Sequence, residues 1–209
     1  ERFHPAAPRP VHPVRWTLIG AAIAIAMMVT LSGAWRLALI VSLIAAVVAL
    51  SSVVLTGWVG QISLAQLAIA GIAGFTTARL SADAHIAFPF SAVLAITIAV
   101  GGGLLAGYPA VRVRGASLAV ATLGAATAIQ ALAFSSSALT GGVGGIETVS
   151  PRIFGFDLGI AAKGAAYPRW EFGVFVIVVV ALCSLAVANL RRSNTGLRWL
   201  DRKSTRLNS

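Results

Sequence analysis

Hydrophobic residues occur along this chain in long continuous runs, separated by short polar segments. Six runs of about twenty residues are the candidate membrane spans: 16–34, 37–56, 62–80, 89–107, 116–134 and 172–190. Each is close to the length that an α-helix needs to cross about 30 Å of hydrocarbon. Because the apolar positions are continuous rather than alternating, helices are favoured over barrel strands. The sequence therefore predicts an all-α fold, a polytopic transmembrane helix bundle of about six spans.

Polar residues interrupt this pattern most sharply between the second and third runs. The eleven residues 57–67 read GWVGQISLAQL, which places Gln61, Ser63 and Gln66 at the edge of a span. Polar amides are costly in hydrocarbon, so we expect these side chains to face protein, water or a ligand. The interruption is more typical of a transporter core than of a simple anchor.

The third run carries a helical face of small and polar residues. On a continuous helix, Ser63, Gln66, Ala70 and Gly74 lie three, four and four positions apart and share one side. Small residues such as Ala70 and Gly74 allow a neighbouring helix to approach closely, and the polar side chains can hydrogen-bond across the contact. Two interpretations stay open: pure helix packing, or a border of the translocation pathway.

The fifth run contains a second polar set, formed by Thr122, Thr127 and Gln130. A threonine in a membrane helix usually satisfies its hydroxyl on its own backbone. Gln130 is harder to place in lipid, so we expect it to face the interior of the bundle. Thr122 and Gln130 therefore join Gln61, Ser63 and Gln66 as candidate pathway residues, although helix packing explains them as well.

Composition supports a membrane protein. Of 209 residues 58% are hydrophobic and only 11% are charged, against about a quarter charged in soluble domains. The net charge of +10 does not indicate nucleic acid, since no basic run is interleaved with stacking aromatics. Basic residues instead flank the spans, where they set topology and meet lipid headgroups.

The positive-inside rule favours a cytoplasmic N-terminus, and six spans then place both termini inside. The expected inner residues are Arg2, Arg9, Arg15, Arg112, Arg114, Arg191, Arg192 and Arg198, and the expected outer residues are Arg36, Arg79, Arg152, Lys163 and Arg169.

Residues 1–15 are rich in proline and basic, which predicts a disordered cytoplasmic segment. Residues 16–200 are expected to form a partial transmembrane domain, with a long outer loop at about 135–171. Tight turns explain the glycines of its TGGVGGI stretch, 140–146.

Two negative observations narrow the function. No Asp or Glu lies well inside a predicted span, whereas pumps and ion-coupled carriers generally need an ionisable or ion-binding group near mid-membrane. The sequence also lacks a Ser-His-Asp set, an HExxH motif and paired carboxylates. A single cysteine, Cys183, and three scattered histidines predict no metal site. We therefore expect no enzyme activity, and energy for uphill transport would come from another subunit.

Three ordered segments resemble branched-chain amino acid ABC permeases of the LivM-like branch. They are TGWVGQISLAQLAIAGIAGFTTARL (56–80), GYPAVRVRGASLAVATLGAATAIQALAF (107–134) followed by LTGGVGGI, and NLRRSNTGLRWL (189–200). The resemblance covers most of residues 37–200. It implies a multi-pass permease subunit of the bacterial plasma membrane that carries leucine, isoleucine, valine or related solutes.

The same resemblance implies the partners of this chain. They are a second, LivH-like permease, ATP-binding cassette ATPases that consume ATP, and an extracytoplasmic solute-binding protein. This chain would bind no cofactor itself. Arg191, Arg192 and Arg198 would lie at the leading edge of the ATPase-contact loop. Relatives that carry urea, amides or sugars, an ion-coupled carrier or channel, and a scaffolding membrane protein are the alternatives.

The resemblance ends after Leu200. Residues 201–209 read DRKSTRLNS and match no part of the family pattern. We expect the chain to be an N-terminal fragment of a longer permease, and its last nine residues to be a non-native tail.

Overall fold

The computed structural model describes residues 12–59, 63, 65–107, 116–142, 145–146, 150–153, 155–161 and 167–192. The α-helices are α1 (Pro13–Thr30), α2 (Gly33–Val54), α3 (Gln66–Ala82), α4 (Phe90–Gly107), α5 (Ala116–Ile129), α6 (Ser137–Thr140) and α7 (Trp170–Arg192). Two π-helical turns, Leu55–Val59 and Gln130–Phe134, extend α2 and α5. Strands β1 (Arg152–Ile153) and β2 (Phe156–Asp157) form an antiparallel pair.

A helix overlaps each of the six predicted spans, although α1 ends at Thr30 and α3 begins only at Gln66. Within the described residues, three helices are long and apolar enough to cross a membrane: Pro13–Thr30, Gly33–Gly57 and Trp170–Leu190. Phe90–Leu105 and Ser117–Leu132 are shorter apolar helices. The 17 residues of α3 extend over roughly 26 Å, and they include several polar side chains. The structure thus supports a helical membrane protein with three clear candidate spans.

Helices α1, α2 and α7 pack together around a small buried cluster. Its members are Met28, Ile40, Val176 and Ile177. Met28 is fully buried, and it lies directly against Gly173, where an added Cβ would overlap the methionine sulfur. Packing of this kind holds membrane helices together, because lipid removes the hydrophobic driving force between them. Gly173 is therefore the position that lets α1 and α7 approach closely.

We predict that Gly173→Ala destabilises the folded protein by about 1–3 kcal/mol, because the added methyl must displace Met28. Gly20→Ala on α1 is the matched control, since none of the described residues lies within 4 Å of a Cβ built there. Both substitutions gain the same helix propensity. Thermal unfolding in detergent micelles measures the difference. Equal stability of the two variants would contradict the close contact.

Arg36, in the first turn of α2, joins the ends of three elements. Its Nε donates to the carbonyls of Met28 (3.1 Å) and Leu31 (3.0 Å) at the end of α1. Its Nη1 donates to the carbonyl of Pro168, just before α7, at 3.0 Å. The last carbonyls of a helix have no partner within the helix, and a cation there also interacts favourably with the helix dipole. The side chain therefore fixes α1 and α7 relative to α2.

Helices α3 and α4 form the second packed pair. The face that α4 buries carries Ser91, Ala95 and Ala99, four residues apart, and the next position in this series is Gly103. A Cβ on Gly103 would come within 3.2 Å of Ile69 on α3. This small-xxx-small pattern allows two helices to approach closely. The large apolar residues of α4, among them Leu94, Ile98 and Leu105, are exposed and suit a lipid-facing side.

The predicted loop at about 135–171 has more structure than the sequence indicates, since it contains α6 and the β1–β2 pair. Gly141, Gly142 and Gly145 have positive φ angles of 77°, 65° and 69°. The prediction that tight turns explain these glycines is confirmed at these three positions. Gly141 also ends α6 in the left-handed conformation, where its N–H donates to the Ser137 carbonyl at 2.9 Å.

Candidate functional site

Both π-helical turns lie beside the polar residues that the sequence singled out. The first, Leu55–Val59, ends α2 immediately before the segment that contains Gln61, Ser63 and Gln66. The second begins at Gln130 itself. A π-helical turn shifts the register of side chains within a helix and is frequent at functional sites. The candidate site therefore lies where regular α-helical geometry is interrupted.

Gln66 is the first residue of α3, and it makes a polar contact with α2. Its Oε1 accepts a hydrogen bond from the Ser52 hydroxyl at 2.6 Å. Its Nε2 is buried and has no hydrogen-bond partner among the described residues. A buried polar group without a partner is costly, so such groups indicate strain, a bound water or a ligand contact. Gln66 is thus the candidate pathway residue with the strongest structural support.

Ser63 is near Gln66 but does not share its helical face, because α3 begins only at Gln66. The Ser63 hydroxyl instead accepts a hydrogen bond from the N–H of Ala65 at 3.4 Å. The prediction of one continuous face from Ser63 to Gly74 is therefore wrong at its first member. Gln61 lies outside the described residues.

Ala70 and Gly74 are exposed on α3. Among the described residues, nothing lies within 4 Å of a Cβ built on Gly74. The close approach occurs one position along the helix, at Gly71, where an added Cβ would meet the Phe134 ring at 2.5 Å. Phe134 also packs against Phe75, with ring centroids 5.3 Å apart. The second π-helical turn thus supplies the aromatic residue that fits against α3.

On α5 and its extension the two candidates behave differently. The Thr122 hydroxyl donates to the Ala119 carbonyl at 3.0 Å, which confirms that this threonine is satisfied by its own backbone. Gln130 is exposed, so the prediction that it faces the bundle interior of this chain is wrong. Its carbonyl accepts the N–H and hydroxyl of Ser135, at 3.1 and 3.2 Å, which closes the π-helical turn.

The described carboxylates lie at element ends, and each is close to an arginine. Asp83 at the end of α3 lies 3.1 Å from Arg79. Asp157 and Glu171 lie 3.7 and 3.4 Å from Arg169. Within the described ranges, no group of three or more His, Cys, Asp or Glu side chains could hold a metal ion. The acidic groups seen here therefore form ion pairs away from the middle of the long apolar helices.

Comparison with protein families identifies the group to which these helices belong. Residues 36–201 match the family described as the permease component of the branched-chain amino acid transport system. The match covers most of the chain and includes most of α2, both π-helical turns and the Ser52–Gln66 contact. The chain belongs to this permease family. The expected extent of the resemblance, residues 37–200, agrees with the matched range.

Curated relatives of this permease belong to the LivM-like branch. The high-affinity branched-chain amino acid transport system permease protein LivM of Salmonella typhimurium is 27% identical over 162 residues. LivM of Escherichia coli is equally similar. Each alignment covers 70% of this chain and 38% of the relative, so the chain spans less than half of their length. No solved structure shows a significant match.

Of the candidate ATPase-contact residues, Arg191 and Arg192 are the last two residues of α7. Arg198 lies outside the described residues. Sequence reasoning missed Ser52, the partner of Gln66, although a hydroxyl pair at Ser51 and Ser52 within an apolar run was a usable signal. It also missed the four-residue spacing of small residues on α4 of this permease.

We predict that Ser52 and Gln66 are energetically coupled. In a double-mutant cycle with Ser52→Ala and Gln66→Ala, the coupling energy should be about 0.5–1.5 kcal/mol, the range typical of polar contacts between membrane helices. Unfolding of the permease in micelles measures it. Ser51→Ala is the matched control, because the Ser51 hydroxyl donates only to the Val48 carbonyl of its own helix, at 2.8 Å, among the contacts described. Additive effects of Ser52→Ala and Gln66→Ala would exclude the contact.

Proposed function

We propose that this chain is a membrane-spanning permease subunit of an ATP-driven ABC importer that carries branched-chain amino acids across the bacterial inner membrane. The observation that carries the proposal is the family match over residues 36–201. The names of both LivM relatives state the same transport system. Leucine, isoleucine and valine are the proposed solutes.

The charge distribution supports an external energy source. The described carboxylates Asp83, Asp157 and Glu171 are close to arginines at the ends of elements. Proton-coupled carriers place ionisable groups within their spans. Separate or fused ATPases, a LivH-like permease and an extracytoplasmic binding protein complete the proposed transporter. This chain then contributes helices and pathway groups and catalyses no reaction itself.

The proposed topology has six spans and both termini in the cytoplasm. Clear candidate spans at α1, α2 and α7 support it, as does the presence of a helix in each of the other three apolar runs. In this orientation Arg36, Arg79, Arg152 and Arg169 lie on the outer side, where solute would arrive. The Ser52–Gln66 contact then lies at the opposite, inner ends of α2 and α3.

ATP-dependent uptake tests the proposed function. The permease is reconstituted in proteoliposomes with its partner permease, ATPases and binding protein, and labelled leucine uptake is measured. We expect uptake with ATP, no uptake with a non-hydrolysable analogue, and no effect of ionophores that collapse proton and sodium gradients. Uptake that persists without ATP hydrolysis but stops with the ionophores would show an ion-coupled carrier instead.

A second experiment tests the pathway residues in the same system. Because Gln66 places a buried amide at the α2–α3 junction, Gln66→Ala should lower the initial uptake rate about tenfold, or alter the preference among leucine, isoleucine and valine. Gln61→Ala is measured beside it. Ser51→Ala, which affects only a local hydroxyl, should transport normally, and thermal unfolding shows that each variant is folded. Unchanged uptake and preference in both glutamine variants would remove these residues from the pathway.

A further inference from the structure

The β1–β2 pair has one polar face and one apolar face. In its antiparallel register Arg152 lies opposite Asp157, and Ile153 lies opposite Phe156. Directly opposed residues of two strands share a face, and successive residues of a strand alternate between faces. One face therefore carries Arg152 and Asp157, and the other carries Ile153 and Phe156. Phe156 is 75% exposed, so the described residues cover little of its ring.

The polar face is fixed to the segment that leads into α7. The Asp157 carboxylate accepts the N–H of Gly159 at 2.8 Å and lies 3.7 Å from the Arg169 guanidinium. The backbone N–H of Arg169 donates to the Ile160 carbonyl at 3.0 Å, and its side chain lies 3.4 Å from Glu171 in the first turn of α7. The Arg169 side chain is only 15% exposed, and partly buried ion pairs are screened less by salt than exposed ones. The strand pair therefore keeps a defined position at the start of α7.

The start of α7 lies beside the start of α2. Arg36, in the first turn of α2, donates to the carbonyl of Pro168, two residues before α7, at 3.0 Å. Both helices are long and apolar enough to cross a membrane, so their shared end marks one membrane surface. Because Asp157 is bound to Arg169, immediately before α7 begins, the strand pair lies at the level of that surface.

Exposed aromatic residues collect at the same end of the molecule. They are Trp35, Phe156, Tyr167 and Trp170, and we call them the aromatic surface. Trp35 lies in the first turn of α2, and Trp170 is the first residue of α7. Tryptophan and tyrosine are enriched where membrane meets water, because each has an apolar ring system and a polar tip. An exposed apolar patch marks a membrane or protein contact, and its position beside two span ends favours lipid.

We propose that the β1–β2 pair lies in the lipid headgroup layer and inserts Phe156 between the upper parts of the acyl chains. Interfacial amphipathic segments bury their apolar face about 5–10 Å into the boundary of headgroups and chains. The ion pair with Arg169 neutralises Asp157, so its carboxylate does not oppose contact with lipid phosphates. This inference requires only that α2 and α7 span the membrane. It does not depend on the solute or on the energy source.

Spin labels on single cysteines measure how deep each face of the strand pair lies. Cys183→Ser removes the only cysteine of the chain, and Phe156→Cys, Arg152→Cys or Ile23→Cys then carries the label. The labelled chain is assembled with the partner permease and the ATPases in vesicles of phosphatidylcholine and phosphatidylglycerol. Collisions with O₂, which concentrates in lipid, are compared with collisions with a water-soluble nickel chelate.

The three labels should differ in depth. We expect the Phe156 label about 5–10 Å below the phosphates, the depth typical of interfacial segments. The Arg152 label, on the opposite face of the same strands, should lie at or above the phosphates. Ile23, exposed near the middle of α1, is the control for hydrocarbon, and its label should be the deepest. Equal water access of the Phe156 and Arg152 labels would overturn the proposal.

A label at Arg152 also tests whether the intact Phe156 side chain holds the strand pair in the lipid. Phe156→Ser should increase the mobility of the Arg152 label and its collisions with the nickel chelate, whereas Phe156→Leu should leave both unchanged. Since Phe156 is exposed, neither substitution disturbs a core, and thermal unfolding shows that each variant is folded. Identical behaviour of the label in the serine and leucine variants would contradict insertion of Phe156.

A protein partner is the competing occupant of the aromatic surface. If the Phe156 label collides mainly with the nickel chelate until the extracytoplasmic binding protein is added, the surface contacts that protein and the proposal is wrong. If the label is shielded from both reagents without the binding protein, the partner permease covers it and the proposal is again wrong. ATP-driven leucine uptake is measured separately, so failure of the proposed function leaves this test unaffected.

Discussion

The guanidinium of Arg36 is the interaction on which the packing of the long apolar helices depends. It donates to two carbonyls at the end of α1 and to the Pro168 carbonyl, two residues before α7, while Arg36 itself lies in the first turn of α2. An unsatisfied carbonyl is expensive near hydrocarbon, so these bonds count for more here than in water. Because these bonds join the helix ends, Met28 can be buried against Gly173 while the Met28 and Leu31 carbonyls keep a hydrogen-bond donor.

The same cost explains where the other polar chemistry lies. Hydrocarbon excludes unpaired polar groups from the middle of a span, so they collect at helix ends and at interruptions of the helix. The two π-helical turns are such interruptions, and both adjoin candidate residues: Gln66 follows the first, and Gln130 begins the second. Phe134, at the end of the second turn, then packs on α3 at Gly71. The irregular turns therefore adjoin both the polar contact of Gln66 and the aromatic contact of Phe134 with α3.

The helices could be predicted because the length of a continuous apolar run can be counted in the sequence. That length decides whether a helix can span the hydrocarbon of a membrane. The direction in which each side chain points was predicted less accurately, since it depends on where the helix begins and on whether it stays regular. The expected face from Ser63 to Gly74 assumes an unbroken helix, but α3 begins at Gln66. Gln130 was expected to face the bundle because an amide is costly in lipid, but it is exposed among the described residues, at the start of a π-helical turn. The partner of Gln66, Ser52, lies on another helix, and a local pattern contains no information about that pairing.

The two ends of α3 carry different polar chemistry. One end of the helix carries an amide contact, Ser52 with Gln66, and the other carries the ion pair of Arg79 and Asp83. A charged pair keeps part of its hydration only near water, so Arg79 and Asp83 suit the end of a helix better than the middle of a span. A neutral amide contact can be buried without the desolvation cost of a charge. A helix with ionic groups at one end and an amide contact at the other therefore keeps its charges near water and buries only neutral polar groups.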